Sequence, residues 1–252
     1  MIEFKQLTKV YDDKTALNQL NLTINAGEIV GLIGHNGAGK STTIKSLVSV
    51  IKPTSGDIIV DNLSLNENRL LIKKKIGYVA DSPDLFLRLT ANEFWELIAT
   101  AYDMTLEQCE NRLNELLTLF DFAEHRYGVI ESFSHGMRQK VFVIGALLSN
   151  PDIWVLDEPL TGLDPQAAYD LKQLMRRHAD EGNTVLFSTH VLEVAEQICD
   201  RIAILKKGEL IYYGTIDELK QLHPEQSLEN IYLGLAGRKE EVVHKEVSDH
   251  EA

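Results

Sequence analysis

The chain has few of the residues that mark secreted, membrane-spanning or nucleic-acid-binding proteins. Its 252 residues include two cysteines, Cys109 and Cys199, which lie far apart without metal-ligand spacing and are predicted to be free thiols in a reducing cytosol. Lysine and arginine number 25 against 38 acidic residues, and the formal charge of −13 argues against binding nucleic acid by phosphate neutralisation. No run approaches the roughly 18 apolar residues of a transmembrane helix, so any membrane role should be peripheral.

The beginning of the chain also lacks a targeting pattern. Residues Met1–Tyr11 do not show the charged and then apolar order of a secretory signal. Together with the missing transmembrane segment, this predicts a cytoplasmic protein.

The segment GLIGHNGAGKSTTIKSL, from Gly31 to Leu47, has the pattern of a phosphate-binding loop, the Walker A motif. It follows Glu28–Ile33, a short apolar run that predicts a buried strand. Apolar residues at helical spacing follow the loop, and Lys52–Gly56 should end that helix. The helix positions are Ile44, Leu47, Val48 and Ile51. Strand, glycine loop and helix in this order favour a nucleotide site over a chance glycine-rich turn.

Each part of the loop has a physical role in holding phosphates. Its glycines permit tight turns that aim successive N–H groups at a β-phosphate beside a helix N-terminus. Lys40 would reach the β- and γ-phosphates, Ser41 would offer its hydroxyl to Mg²⁺, and Thr42 and Thr43 extend the anion-facing first turn. The predicted nucleotide-binding residues here are Gly34, His35, Asn36, Gly37, Ala38, Gly39, Lys40, Ser41, Thr42 and Thr43.

A second apolar run, Ile153–Leu156, ends in two acidic residues. In open parallel sheets the carboxyl ends of strands carry the ligand-binding groups. Asp157 is predicted to hold the hydration shell of Mg²⁺, and Glu158 to act as a general base or to position the attacking water. The alternative is an ordinary acidic strand end before Pro159. No Asn-Lys-x-Asp motif is present, which disfavours a guanine-nucleotide switch.

The segment SFSHGMRQKVFVIGALLSNPD lies between the two motifs, and with it the chain resembles the ATP-binding subunits of ABC transporters. Ser134 is a good helix N-cap. The resemblance implies that Ser134, His135 and Gly136 contact the γ-phosphate of ATP bound to the opposite protomer. His135 departs from the family, which commonly has glycine there. It is either an exposed first-turn histidine or one close enough to the partner's phosphates to matter when charged.

Other family segments occur in order over roughly residues 1–220. The resemblance implies that Tyr11 stacks on adenine, although a simple strand tyrosine is the alternative. It also implies that Asp164 crosses a dimer interface and that His190 is a switch histidine near the γ-phosphate. Pro165 is suited to the first position of the following helix.

Asp81 departs from the family pattern, because many ABC ATPases have a glutamine there that contacts Mg²⁺ and water. An aspartate is shorter, anionic and only an acceptor. It is predicted either to bind the metal, directly or through water, or to be a solvated loop acid. Contact with the membrane partner is a further alternative.

The resemblance implies an α/β fold, a P-loop NTPase with a RecA-like core, a peripheral antiparallel β subdomain and an inserted helical subdomain. The antiparallel sheet is expected within residues 1–30 and 57–62. The predicted divisions are a core in 1–84 and 151–216, helices in 85–150, and a C-terminal helix with a charged tail in 217–252. The predicted helical stripes are Phe94, Leu97, Ile98 and Ala101; Leu113, Leu116, Leu117 and Phe120; Val141, Ile144, Gly145 and Leu148; and Leu228, Ile231, Tyr232 and Leu235. A hairpin is expected at Lys207-Gly208, and the charged residues after Gly234 are expected to be frayed or disordered.

The implied function is ATP hydrolysis that drives transport through a separate integral membrane permease. Two subunits, a homodimer or pseudo-dimer, would hold two ATP molecules between them at the inner face of the cell membrane. Leu85, Phe86, Leu87 and Leu89 are candidate permease contacts, although core packing is the alternative for at least two of them. The chain is similar to the bacterial exporter-type branch and to Ecs-type subunits. The alternative function is a non-transport ABC ATPase acting on ribosomes or DNA, a class that usually has two nucleotide domains or long coiled-coil insertions.

Overall fold

The computed structural model describes residues 1–81, 86–224 and 226–237. Within them, two β-sheets are combined with nine α-helices. The strands are β1 (Ile2–Tyr11), β2 (Lys14–Ile24), β3 (Ile29–Ile33), β4 (Ser55–Val60), β5 (Leu63–Ser64), β6 (Ile76–Val79), β7 (Ile153–Leu156), β8 (Thr184–Thr189), β9 (Arg201–Lys206) and β10 (Glu209–Gly214). The helices are α1 (Lys40–Leu47), α2 (Arg69–Lys74), α3 (Ala91–Ala101), α4 (Leu106–Leu119), α5 (His135–Leu148), α6 (Pro165–Asp180), α7 (Leu192–Ile198), α8 (Ile216–Leu222) and α9 (Leu228–Ala236). None of the helices described is long and apolar enough to span a bilayer.

The first sheet is antiparallel, with strand order β2-β1-β4-β5. Strand β2 buries every second residue from Leu20 to Ile24 and exposes the residues between them. Such alternation is typical of a sheet with one face on the core and one in water. The predicted antiparallel sheet in the first part of the chain is therefore confirmed.

The second sheet has the order β10-β9-β3-β8-β7-β6, and all its neighbouring strands are parallel except the β9–β10 pair. Every residue of β3, β7 and β8 is buried, which explains why these strands are continuous apolar runs in the sequence. The β9–β10 hairpin turns at Lys207 (φ 50°) and Gly208 (φ 84°), as predicted.

The strand order places the functional loops at one edge of the parallel sheet. Strands β3, β8, β7 and β6 are consecutive neighbours, so the residues after their carboxyl ends lie side by side. Ligand-binding groups of open parallel sheets occupy this edge. Here it carries the phosphate loop after β3, His190 after β8, Asp157 and Glu158 after β7, and Asp81 near the end of β6.

Helices α3, α4 and α5 pack together around Trp95 and Phe122. The predicted stripes of α4 and α5 are buried, as expected. The predicted stripe of α3 was partly wrong, because Leu97 and Ala101 are exposed while Trp95 and Ala99 are buried. The buried face of α3 is rotated relative to the predicted one because Trp95 supplies its largest apolar surface and donates to the Val141 carbonyl at 2.9 Å.

The helix after the phosphate loop is shorter than predicted. It ends at Leu47, before Ile51, and Ser49 adopts the left-handed backbone region at φ 57°. Helix α9 is confirmed, with Ile231 and Tyr232 buried. Leu85 and the charged tail beyond residue 237 lie outside the described residues, and the division of the chain into domains stays a prediction.

Candidate functional site

The phosphate loop is fixed at both ends by close backbone packing. A Cβ atom on Gly34 would come within 2.7 Å of the Leu205 carbonyl oxygen, and one on Gly39 within 2.9 Å of the Ala16 carbonyl oxygen. Gly39 also has φ 114°, which side chains of L-residues rarely tolerate. Glycine is therefore required at the two points where the loop leaves β3 and enters α1.

Lys40, the first residue of α1, has its ammonium group almost completely buried, with 6% of the side chain exposed. Its Nζ donates to the Gly34 carbonyl oxygen at 2.7 Å and lies 3.4 Å from Glu158 Oε1. A buried cation needs such compensation. The Glu158 carboxylate is thus the anionic partner of the Lys40 ammonium group.

Ser41 and Asp157 belong to one hydrogen-bond network. The Ser41 hydroxyl donates to Asp157 Oδ1 at 3.2 Å, and the Ser188 hydroxyl donates to the same oxygen at 2.6 Å. Asp157 is 1% exposed, so these hydroxyls stabilise a carboxylate withdrawn from water. The sequence analysis missed Ser188. Its position in the strand next to β7, just before His190, was the available signal.

Glu158 joins the network to His190. Its backbone lies in the left-handed region at φ 50°, uncommon for a residue other than glycine, and its N–H donates to Ser188 Oγ at 2.9 Å. Its Oε2 lies 2.9 Å from His190 Nδ1. The Glu158 carboxylate therefore contacts both Lys40, which follows β3, and His190, which follows β8.

A cavity of about 340 Å³ opens over these groups. It is lined by Tyr11, Lys14, Ala16, His35, Asn36, Gly37, Gly39, Lys40, Ser41, Thr42, Asp81 and Glu158. The Tyr11 ring is half exposed, and Lys9 Nζ lies 4.8 Å from its centroid. Thr43 is a correction: its side chain is fully buried and its hydroxyl donates to the Gly39 carbonyl at 3.0 Å, so it is not anion-facing. Ala38 is also buried and packs against Gly34.

Asp81 lies at the rim of the cavity among other acids. Burial raises the pKa of its carboxyl above the ordinary value, and the charges of Asp157 and Glu158 raise it further. Lys45 and His135 oppose the shift. The Asp81 and Glu158 carboxylates both line the cavity, and together they create a local negative potential that a cation would relieve.

Ser134, His135, Gly136 and Asp164 are not among the described residues that line this cavity. Ser134 caps α5 by accepting from the Met137 N–H at 3.3 Å, and Asp164 caps α6 by accepting from the Ala167 N–H at 2.9 Å. His135 is exposed in the first turn of α5, and its Nε2 lies 3.1 Å from the Thr161 carbonyl oxygen. Its ring fills the space that a side chain on Gly162 would need.

The donor atoms suit a magnesium nucleotide. The Ser41 hydroxyl and the Asp157 carboxylate offer the hard oxygen atoms that Mg²⁺ prefers. The described residues contain no cluster of three or more His, Cys, Asp and Glu side chains that could enclose a metal ion. Mg²⁺ usually keeps several waters and binds through one or two protein groups together with substrate phosphates.

Comparisons with known proteins identify the family of the chain. Residues 17–161 match the ABC transporter family. The chain is 36% identical to the ABC-type transporter ATP-binding protein EcsA of Bacillus subtilis (strain 168) over 247 residues, covering 97% of this chain and 99% of EcsA. It is 34% identical to the lipopolysaccharide export system ATP-binding protein LptB of Escherichia coli (strain K12) over 233 residues, covering 91% and 95% of the two chains.

Solved structures show the same architecture. An ATP-binding subunit of an ABC transporter superposes with a TM-score of 0.87 at 34% identity, covering 93% of this chain and 99% of the other. A dimeric ATP-binding cassette in a post-hydrolysis state, bound to ADP and Pi, superposes with a TM-score of 0.78 at 30% identity, covering 86% and 99%. These comparisons confirm the predicted P-loop NTPase fold and the predicted resemblance to the ATP-binding subunits of ABC transporters. The chain belongs to the ABC transporter family as an ATP-binding subunit and is an ATPase.

Proposed function

We propose that this ATPase powers export through a separate integral membrane permease, to which it binds at the cytoplasmic face of the membrane. ATP-binding proteins of this family dimerise and work with membrane permeases. The proposal of export is supported by the similarity to LptB, whose name assigns it to a lipopolysaccharide export system. The observation that supports a permease partner is an apolar groove between the parallel sheet and the helices α3 and α5.

In the proposed mechanism, the residues at the sheet edge divide the work on ATP. Lys40 and the loop N–H groups would bind the β- and γ-phosphates. Ser41 and Asp157 would hold Mg²⁺, whose charge would offset that of the phosphates. Glu158 takes a proton from the attacking water. His190, held 2.9 Å from Glu158, orients that carboxylate and contacts the γ-phosphate region. Tyr11 stacks on adenine with its exposed ring.

Dimerisation is part of this proposal because the cavity of one chain lacks the α5 N-terminus. Ser134 and Gly136 would approach the phosphate of ATP held by the partner, and Asp164 would cross the interface. The α5 N-terminus carries N–H groups and a partial positive charge that suit a γ-phosphate. His135 contacts the Thr161 carbonyl oxygen of its own chain. We therefore propose that its main role is to hold the 161–164 loop against α5.

The apolar groove has a volume of about 400 Å³. Its walls are Lys45, Val50, Tyr78, Ala80, Phe86, Phe94, Ile98, Tyr102, Phe142, Gly145 and Ala146. Phe86, Leu87 and Leu89 are all half-buried against the main hydrophobic core, and of these three only Phe86 also lines the groove. The packing alternative is therefore favoured for Leu87 and Leu89. A short apolar helix from a permease fits this shape, since its side chains would cover exposed apolar surface beside Asp81.

The function is tested by co-expression with the polytopic membrane protein of a neighbouring gene. Val50 is 62% exposed at the groove, so Val50→Asp should abolish co-purification and transport-coupled ATPase while the isolated subunit hydrolyses ATP normally. Leu106→Asp is the matched control, because Leu106 is 87% exposed at the start of α4 and does not line the groove. Unchanged co-purification of Val50→Asp would contradict the groove assignment. Co-purification with ribosomes instead of membranes would contradict transport altogether.

A further inference from the structure

The C-terminal helix α9 is anchored directly beside the phosphate loop. Leu228 and Ile231 are buried in one hydrophobic cluster with Ile33, the last residue of the strand that leads into that loop. At the other end of α9, Lys206 Nζ donates to the Leu235 carbonyl oxygen at 3.0 Å. Helix α9 is thus held to β3 and β9 along its length.

One residue of α9 contacts the loop itself. The rings of Tyr232 and His35 have centroids 5.1 Å apart and are tilted by 54°. Tyr232 is 9% exposed, so its ring is fixed in the core, whereas His35 is exposed at the loop tip. The two residues also line a cavity of about 650 Å³ together with His190 and Glu229.

The loop tip has the conformational freedom that this contact can restrict. Gly34 and Gly39 are pressed against neighbouring backbone, but a Cβ on Gly37, with φ 81°, would meet nothing within 4 Å. Residues 35–37 are exposed between two fixed ends, and Gly37 faces open space. A ring contact at His35 reduces the number of conformations that the tip must lose when its N–H groups close on phosphate.

We propose that Tyr232 is a positioning residue for nucleotide binding: through His35 it preorganises the tip of the phosphate loop, and α9 thereby becomes energetically coupled to nucleotide occupancy. Coupling between two sites is reciprocal. If docked α9 tightens nucleotide binding, bound nucleotide must hold α9 more firmly against the core. A helix that only stabilises the fold would show neither effect.

The first test measures the affinity of the full chain for Mg-ADP by calorimetry, because ADP contacts the loop and is a poor driver of ATP-dependent dimerisation. We expect Tyr232→Ala to raise Kd by about two- to tenfold, the range of an aromatic pair. Leu219→Ala is the matched control, since Leu219 is buried in the same cluster but lies in α8 and does not line the cavity that His35 and Tyr232 share. It should lower thermal stability without changing Kd.

His35→Ala keeps the loop N–H and, because His35 is exposed, should fold normally. It should raise Kd as much as Tyr232→Ala, and the double variant should be no weaker than either single variant. Saturating ADP should slow amide hydrogen exchange in residues 228–236 of wild type but not of His35→Ala. The proposal is overturned if His35→Ala leaves Kd unchanged, if the two effects add, or if ADP protects α9 equally in both proteins.

Discussion

Glu158→Gln tests the chemistry at the centre of the site, because this one carboxylate contacts both Lys40 and His190. Glutamine keeps the size of the side chain and one acceptor oxygen but has no charge and little basicity. Positioned general-base catalysis contributes about 10²–10⁴-fold. We therefore expect kcat to fall by that factor, which corresponds to about 3–5 kcal/mol of transition-state stabilisation.

The same substitution should change stability in opposite directions without and with ATP. At the 3.4 Å separation of Lys40 Nζ and Glu158 Oε1, the attraction in an effective dielectric of about 20 is about 5 kcal/mol before desolvation is subtracted. The glutamine amide oxygen can still accept a hydrogen bond. We therefore expect the free energy of unfolding of the nucleotide-free protein to fall by about 1–3 kcal/mol. With ATP bound, the phosphates compensate Lys40, and removing the Glu158 charge relieves its repulsion with them.

The assay combines steady-state hydrolysis, thermal unfolding with and without Mg-ATP, and size-exclusion chromatography. Without ATP, Glu158→Gln should unfold at a lower temperature than wild type. Adding Mg-ATP should raise its unfolding temperature by more than it raises that of wild type, and the variant should then accumulate as a dimer. Glu196→Gln is the control, because Glu196 also forms an ion pair with a lysine, Lys220. Both side chains of that pair are about 40% exposed, so the substitution removes the same charge from a solvated site. Near-normal kcat in Glu158→Gln would refute the assignment of the base. A loss of ATP affinity equal to the loss of stability would show that Glu158 has a structural role only.

Two further predictions concern the metal and the dimer. Asp81→Ala should raise the Mg²⁺ concentration for half-maximal ATPase activity, and Asp81→Gln should recover much of the loss because its amide oxygen reaches further; superimposable Mg²⁺ titrations of wild type and Asp81→Ala would contradict metal binding by Asp81. Specific ATPase activity should rise with protein concentration, because Ser134 lies outside the cavity of its own chain; full turnover by a monomer, checked by light scattering, would refute a site completed by the partner.

Local signals were sufficient for the parts of the site that are contiguous in the chain. The strand, loop and helix around Lys40 follow from an apolar run, spaced glycines and a helical stripe, all within a few turns of chain. The N-cap role of Ser134 and the first-turn position of Pro165 were equally local. An N-cap side chain accepts from a nearby backbone N–H, and proline has a fixed φ suited to a position whose N–H would have no helical partner. Local periodicity failed in α3, where the face buried depends on what packs against Trp95.

The sequence by itself determined which residues could bind phosphate and metal, because residue type and local spacing decide donor chemistry and loop shape. Only the tertiary structure decided which of them meet. The order β3-β8-β7-β6 brings Ser41 to Asp157 across 116 residues of chain and places Ser188 between Asp157 and Glu158. It also decided that Tyr232 rests on His35, since no pattern in α9 distinguishes a tyrosine packed on the core from one packed on a phosphate loop. Such contacts depend on strand order and helix docking, which are set by burial of the whole core rather than by any short segment.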